Sequence, residues 1–275
     1  MTGPVDPDAF NAFEAAGWEE RPAGYDEFFS AITTRVVGPL LDAAVVGPGA
    51  RVLDVATGPG YVAAEAAARG AFVLGVDVAE SMLALARRLH PELEFRSGDA
   101  EALWCSDGMF DAVVANFLLL HLGRPERAAA EFARVLAPGG RVALTVWDVP
   151  AGTRFIGVLV DALAEAGAGP PPGLPEGPPF FRFADEGEFA ALLRGAGFQD
   201  VEVRTEAFTH VETSPDSLWD GLMRGTVRMS ALVLGQPEAT RTRIRAAFDG
   251  LARAYETGGQ LALPVSVKLA SGRKA

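Results

Sequence analysis

The segment that most constrains this chain is residues 51–60. A β-forming run, Arg51-Val52-Leu53-Asp54-Val55, enters a turn with two glycines, Ala56-Thr57-Gly58-Pro59-Gly60, and a helix-forming run begins at Tyr61. Glycine reaches positive φ without a Cβ clash and lets backbone approach a ligand closely. The chain keeps alternating in the same way as far as Trp147. Strands are predicted at 71–76, 94–96, 110–115 and 141–147, and helices at 61–69, 80–89 and 125–136. This alternation demands a parallel sheet with right-handed crossovers and helices on both faces. In such a doubly wound sheet the first turn opens onto the crevice at the carboxyl ends of the strands, where ligands bind.

Beyond Trp147 the pattern loosens. Six prolines between Pro170 and Pro179 impose an extended loop. A helix is predicted over 186–195, a short strand at 201–203, helices over 215–235 and 237–257, and a last strand at 261–269. No internal repeat is visible. The 275 residues suffice for one large α/β domain, and 49% hydrophobic with 22% charged residues is a globular composition.

The net charge of −12 excludes a general nucleic-acid binder, which lives on cationic contacts to phosphate. Seven Lys or Arg lie in 241–275, but the Arg residues are spaced as on a solvated helix face. A lone cysteine, Cys105, rules out an internal disulfide and a cysteine-built zinc site and reads as a passive small residue; no metal site is expected. Met1-Thr2-Gly3-Pro4-Val5-Asp6 lacks the basic and apolar regions of a secretion signal, and no run is long enough to span a bilayer, so a cytoplasmic location is expected.

Charge also separates two cofactor readings. The spacing Gly58-x-Gly60-x-x-Ala63, with Asp77 after the second strand, satisfies a dinucleotide fingerprint and leaves a nicotinamide-dependent oxidoreductase open. Yet Asp54, Asp77 and Asp99 end three successive strands, and the loop holds no Lys or Arg. Three carboxylates repel a pyrophosphate and favour a cofactor bearing a sulfonium and an ammonium group.

Residues 51–147 resemble the core of a class I S-adenosylmethionine-dependent methyltransferase, of the ubiquinone/menaquinone small-molecule type. The matching pieces are Leu53-Asp54-Val55-Ala56-Thr57-Gly58-Pro59-Gly60, Gly75-Val76-Asp77-Val78-Ala79-Glu80-Ser81-Met82-Leu83, Gly98-Asp99-Ala100-Glu101-Ala102-Leu103, Phe110-Asp111-Ala112-Val113-Val114 and Arg134-Val135-Leu136-Ala137-Pro138-Gly139-Gly140. The resemblance implies an α/β fold: a doubly wound, mostly parallel seven-stranded sheet with an N-terminal helical lid and a helical insert before the last strand. It implies one domain over 1–275, with 1–45 as lid, 46–147 as cofactor core and 148–275 as substrate-side inserts and final strands.

It also implies S-adenosylmethionine as cofactor and assigns roles. Asp54, Ala56, Thr57, Gly58 and Gly60 belong to the loop around the methionine and ribose. Asp77 takes the ribose hydroxyls, Val78 and Met82 pack on adenine, Asp99 and the Ala100 amide read its edge, and Asn116 faces the methionine end. Tyr25, in the aromatic segment Trp18–Phe29, reaches the cofactor carboxylate. Ala56 departs from the pattern, which usually has a glycine there.

Methyl transfer to a small, largely apolar acceptor asks chiefly for geometry and exclusion of water. A base is needed only where the nucleophile must lose a proton. His121 is the base candidate, with a structural bond to a loop carbonyl as the open alternative; His210 is a weaker one, and His90 reads as a surface residue. Phe28, Trp147, Phe181, Phe183, Trp219 and Met223 are the expected pocket walls, the alternative being that the Met and Trp residues only pack the insert onto the sheet. The acceptor atom stays open among oxygen, nitrogen and carbon. A non-methylating cyclisation or rearrangement on the same cofactor remains a second reading, a non-catalytic subunit another. The Arg-rich helix is a candidate homodimer surface.

Overall fold

A computed structural model describes residues 6–275; the expectation for Met1–Val5 lies outside them. Eight strands form one sheet: β1 (Arg51–Val55), β2 (Phe72–Asp77), β3 (Glu94–Ser97), β4 (Phe110–Asn116), β5 (Leu136–Trp147), β6 (Phe198–Glu212), β7 (Glu256–Thr257) and β8 (Gln260–Lys274). Their order is β3-β2-β1-β4-β5-β8-β6. The first five run parallel, and β8 is antiparallel between β5 and β6. The expected seven strands are this path; the eighth, β7, is a two-residue hairpin arm on β8. Gly258 and Gly259, both at positive φ, make its turn.

Two differences from the sequence reading have simple causes. β6 spans Phe198–Glu212 rather than three residues, because it pairs with β8 along nearly its whole length and its polar outward residues mask the strand pattern. β5 starts at Leu136, ahead of the glycines, with a register irregularity against β4 between Phe110 and Ala112.

The central strands are buried on both faces, as a parallel sheet requires. Helices Pro125–Val135 and Glu186–Gly195 cover one face, burying Phe132, Phe189 and Leu193 with Leu53 and Val113. Helices Val37–Ala43 and Tyr61–Ala68 cover the other, burying Leu40 and Val62 with Val52 and Val114. A third cluster joins the helices between β6 and β8 to the sheet: Leu222, Ile244 and Phe248 pack with Phe155, Leu159 and the apolar side of Leu261–Val267.

The N-terminal helix Pro7–Glu19 is capped by Asp6, whose carboxylate accepts from the Asp8 and Ala9 amides at 3.1 Å. Helical turns then run from Pro22 to Ala43, with a five-residue π-helical turn at Tyr25–Phe29. No described helix is long and apolar enough to cross a membrane.

Candidate functional site

One cavity lies over the carboxyl ends of β1, β2 and β4, roofed by the N-terminal helices and by Gly225–Met229 of the insert. Its floor is the glycine loop. Ala56, Gly58 and Gly60 all have positive φ, at +57°, +52° and +87°. The loop is fixed from beneath by Asp54, which is 1% exposed: one carboxylate oxygen accepts from Thr57 Oγ1 at 2.6 Å and from the Ala63 amide at 3.1 Å. Its other oxygen, Oδ1, is buried without a partner. Burial pushes the Asp54 carboxyl up to about 7, against the pull of those two hydrogen bonds and with a push from Asp77.

Asp77 faces the cavity. Its Oδ2 accepts the Gly58 amide at 2.9 Å and its Oδ1 the Ala79 amide at 3.0 Å. Each oxygen keeps a further lone pair. Burial raises this carboxyl above the usual range too. Val78 stands half-exposed at the cavity mouth, and Met82 is buried beside it. Across the mouth lie Gly98, Asp99 and Ala100. Asp99 Oδ1 accepts the Glu101 amide at 2.8 Å. The Ala100 amide is in a buried residue and finds no acceptor among the described residues, so a ligand acceptor fits there.

The inner end is set by Asn116, after which the backbone turns at Phe117 with φ +60°. Asn116 donates to the Thr33 carbonyl at 3.2 Å and accepts from Thr145 Oγ1 at 2.5 Å, tying β4 to β5 and to the roof. Tyr25 lines the roof, stacked on Phe29 at 5.6 Å, with its hydroxyl 3.4 Å from Thr33 Oγ1. Burial, reinforced by Asp77, Asp54 and Asp26, pushes its phenol up to about 12. Trp147 forms a wall, stacked on Phe117 with ring centroids 3.7 Å apart. At the far end His121 Nδ1 lies 2.9 Å from Glu14 Oε2, and both residues line the cavity.

A methyltransferase-domain family profile matches residues 53–144. A demethylmenaquinone methyltransferase of Renibacterium salmoninarum is 37% identical over 127 residues, which cover 46% of this chain and 54% of that one. A demethylmenaquinone methyltransferase of Beutenbergia cavernae is 34% identical over 172 residues, covering 60% of this chain and 72% of that one. The chain belongs to the class I S-adenosylmethionine-dependent methyltransferases. It spans about half the length of some of these curated relatives, 54% of the first. Among solved structures, phosphoethanolamine N-methyltransferase 2 of Haemonchus contortus, with S-adenosyl-L-methionine, superposes with a TM-score of 0.54 at 19% identity over 87% of this chain and 52% of that one, which speaks for the fold alone.

The methyltransferase fold brings most of the expected cofactor residues to one cavity: Tyr25, Ala56, Gly58, Asp77, Val78, Met82, Asp99, Ala100 and Asn116 all line it. Asp54, Thr57 and Gly60 do not. They sit one layer behind, because Asp54 is spent on Thr57 and Ala63, while a Cβ on Gly60 would meet Phe95 at 2.8 Å. The donor set nonetheless fits the cofactor of this family: two carboxylates and an unpaired buried amide ring the mouth, and no described Lys or Arg stands in the loop to receive phosphate.

The expected pocket walls are corrected more heavily. Of six, only Trp147 lines the cavity. Phe28 is buried against Gly221 and His210 and Phe183 against Phe189; Trp219, half-buried, packs edge-on to Phe248, and Phe181 and Met223 pack at the edge of the insert core. The lining is instead Phe29, Phe117, Ile156, Phe180, Val227 and Met229. His210 is also off the site: its ring packs on Phe28 and Phe155, 3.5 Å from Glu212. His90 is half-buried, with its ring edge-on to Tyr61 and over Gly60.

Glu14 escaped the sequence reading. The signal was there: Phe10, Glu14 and Trp18 recur every four residues, which puts an acid in the apolar stripe of the first helix.

Proposed function

We propose that this protein catalyses S-adenosylmethionine-dependent methyl transfer to a small, largely apolar acceptor. The observation that carries this reading is the cavity, which Asp77 and Asp99 both line together with Ala100, whose amide is unpaired among the described residues. The bound cofactor supplies an electrophilic methyl group. Asp77 accepts from the ribose hydroxyls with the lone pairs left by Gly58 and Ala79, Val78 and Met82 pack on adenine, and Asp99 and Ala100 read its edge. Asn116, held by Thr33 and Thr145, and Tyr25 orient the methionine end. Asp54, though behind the loop, contributes negative potential to a cationic ligand.

Residues 6–45 act as a lid over the core of residues 46–147, and residues 148–275 add the acceptor side. Phe29, Phe117, Trp147, Ile156 and Met229 form an apolar enclosure that excludes water from the in-line displacement. The cytoplasm is the proposed setting, and the outer face of the helix Glu238–Ala252 is offered as a homodimer surface.

Turnover tests the reading. The protein is incubated with S-adenosylmethionine and 2-naphthol, 2-naphthylamine or indole as oxygen, nitrogen and carbon probes. S-adenosylhomocysteine forming in step with a methylated product is the expected result. No S-adenosylhomocysteine with any probe, from protein that binds the cofactor, would turn the reading towards a non-methylating reaction.

A further inference from the structure

We propose that Glu14 is a positioning residue that holds His121 as the Nδ1–H tautomer, so that the bare Nε2 takes the proton of an acceptor hydroxyl. The inference rests on the methyl-transfer reading and narrows it to oxygen acceptors.

Glu14 comes from the lid helix and is 2% exposed, yet it lines the cavity. Its Oε2 is 2.9 Å from His121 Nδ1. A carboxylate only accepts hydrogen bonds, so the hydrogen between them belongs to Nδ1, and in the neutral ring it is Nε2 that carries the lone pair. Nε2 makes no hydrogen bond to any described residue, and the ring stays partly open, at 21% exposure. Trp18 packs edge-on to the ring at 5.1 Å and 89°, fixing its tilt from a second side. Arg228, from the insert, is the cation whose field reaches Glu14.

A purely structural pair would not be built this way. Glu14 Oε1 is buried without a partner, which is unfavourable for such a group. Both the unpaired oxygen and the bare ring nitrogen belong to residues that border the cavity. An acceptor hydroxyl answers them chemically. Its proton goes to His121 Nε2. Its oxygen lone pair forms the bond to the methyl carbon as the bond from that carbon to sulfur breaks and leaves its electron pair on sulfur. The products are a methyl ether, S-adenosylhomocysteine and an imidazolium whose charge Glu14 balances until the proton passes to water.

The test reads the tautomer directly, by ¹⁵N NMR of the three histidines in the full chain with S-adenosylhomocysteine present, His121 being assigned through His121→Gln. The parent should show His121 with Nδ1 protonated and Nε2 bare. Glu14→Leu should lose that single tautomer, and Glu14→Gln, whose amide oxygen still accepts, should restore it. A parent ring protonated at Nε2, or a tautomer that Glu14→Leu leaves unchanged, overturns the proposal; the parent spectrum decides even if Glu14→Leu fails to fold. Proton acceptance is read with 4-nitrophenol. Bound to the parent, it should ionise at lower pH than when free, and the shift should vanish in His121→Gln. Absence of binding or of the shift overturns the oxygen-acceptor role. Loss of S-adenosylhomocysteine binding by the parent would instead strike the methyl-transfer reading, and calorimetry separates the two failures.

Discussion

Phe117 stacks on Trp147 with ring centroids 3.7 Å apart and planes 20° from parallel, joining the ends of β4 and β5 at the cavity wall. Phe117 holds φ +60°, a conformation that costs a non-glycine residue of order 1–3 kcal/mol. Stacking returns about 0.5–1.5 kcal/mol, and the Phe117 amide donates to Thr145 Oγ1 at 3.1 Å. Trp147→Ala should therefore destabilise the protein by about 3–5 kcal/mol, read by urea unfolding, while Trp147→Phe should cost much less. Equal losses in the two variants would mean that the stack contributes little.

The glycine loop makes opposite predictions at two neighbouring positions. Gly60→Ala meets both φ +87° and Phe95 at 2.8 Å, so it should destabilise strongly and abolish cofactor binding. Ala56→Gly removes a left-handed alanine at φ +57°, relieving about 1–2 kcal/mol and adding back about 0.5–1 kcal/mol of chain entropy. It should be neutral or stabilising by up to about 1.5 kcal/mol, raising Tm by at most about 6 °C. A clear fall in Tm for Ala56→Gly would contradict the strain.

Burial of Asp54 sets a pH dependence. Its carboxyl lies near 7 in the folded chain against an ordinary 3.8, so between those values unfolding releases a proton. The contribution of Asp54 to stability is full below its unfolded pKa and is lost as pH rises through about 7. Asp77, raised in the same direction, adds to the slope. Asp54→Asn resembles the protonated acid. The stability of the parent minus that of Asp54→Asn should fall from about pH 5 to about pH 8 without ligand, and fall less with S-adenosylmethionine, whose positive charge favours the ionised acids. A flat difference would contradict the shift.

Cys105 is 4% exposed, and burial raises its thiol above the usual range although Arg134 and Arg96 pull the other way. It should ignore a thiol reagent such as dithiobisnitrobenzoate in the native protein and react fully in denaturant. Rapid native reaction would place it at an open site instead.

The strand–loop–helix core was legible because its signals are local. Strand residues, loop glycines and the acids at strand ends are fixed by neighbours in sequence, so Asp77, Asp99 and Asn116 fell at the cavity. The pocket walls were not legible, since a side chain on an insert faces either the cavity or the insert core, and only packing decides. Phe29 and Phe28 are adjacent, yet Phe29 lines the cavity and Phe28 packs on Gly221. Asp54 shows the same limit at a strand end, its carboxylate turned beneath the loop by Thr57 and Ala63.

Calorimetric titration of S-adenosylmethionine into the parent and into Asp77→Ala addresses the cavity mouth most directly. The parent should bind one equivalent. Asp77→Ala should bind at least about tenfold more weakly, about 1.5–3 kcal/mol for a lost hydrogen bond to a charged group. No heat of binding to the parent, or equal affinity in Asp77→Ala, would contradict a cofactor site at Asp77.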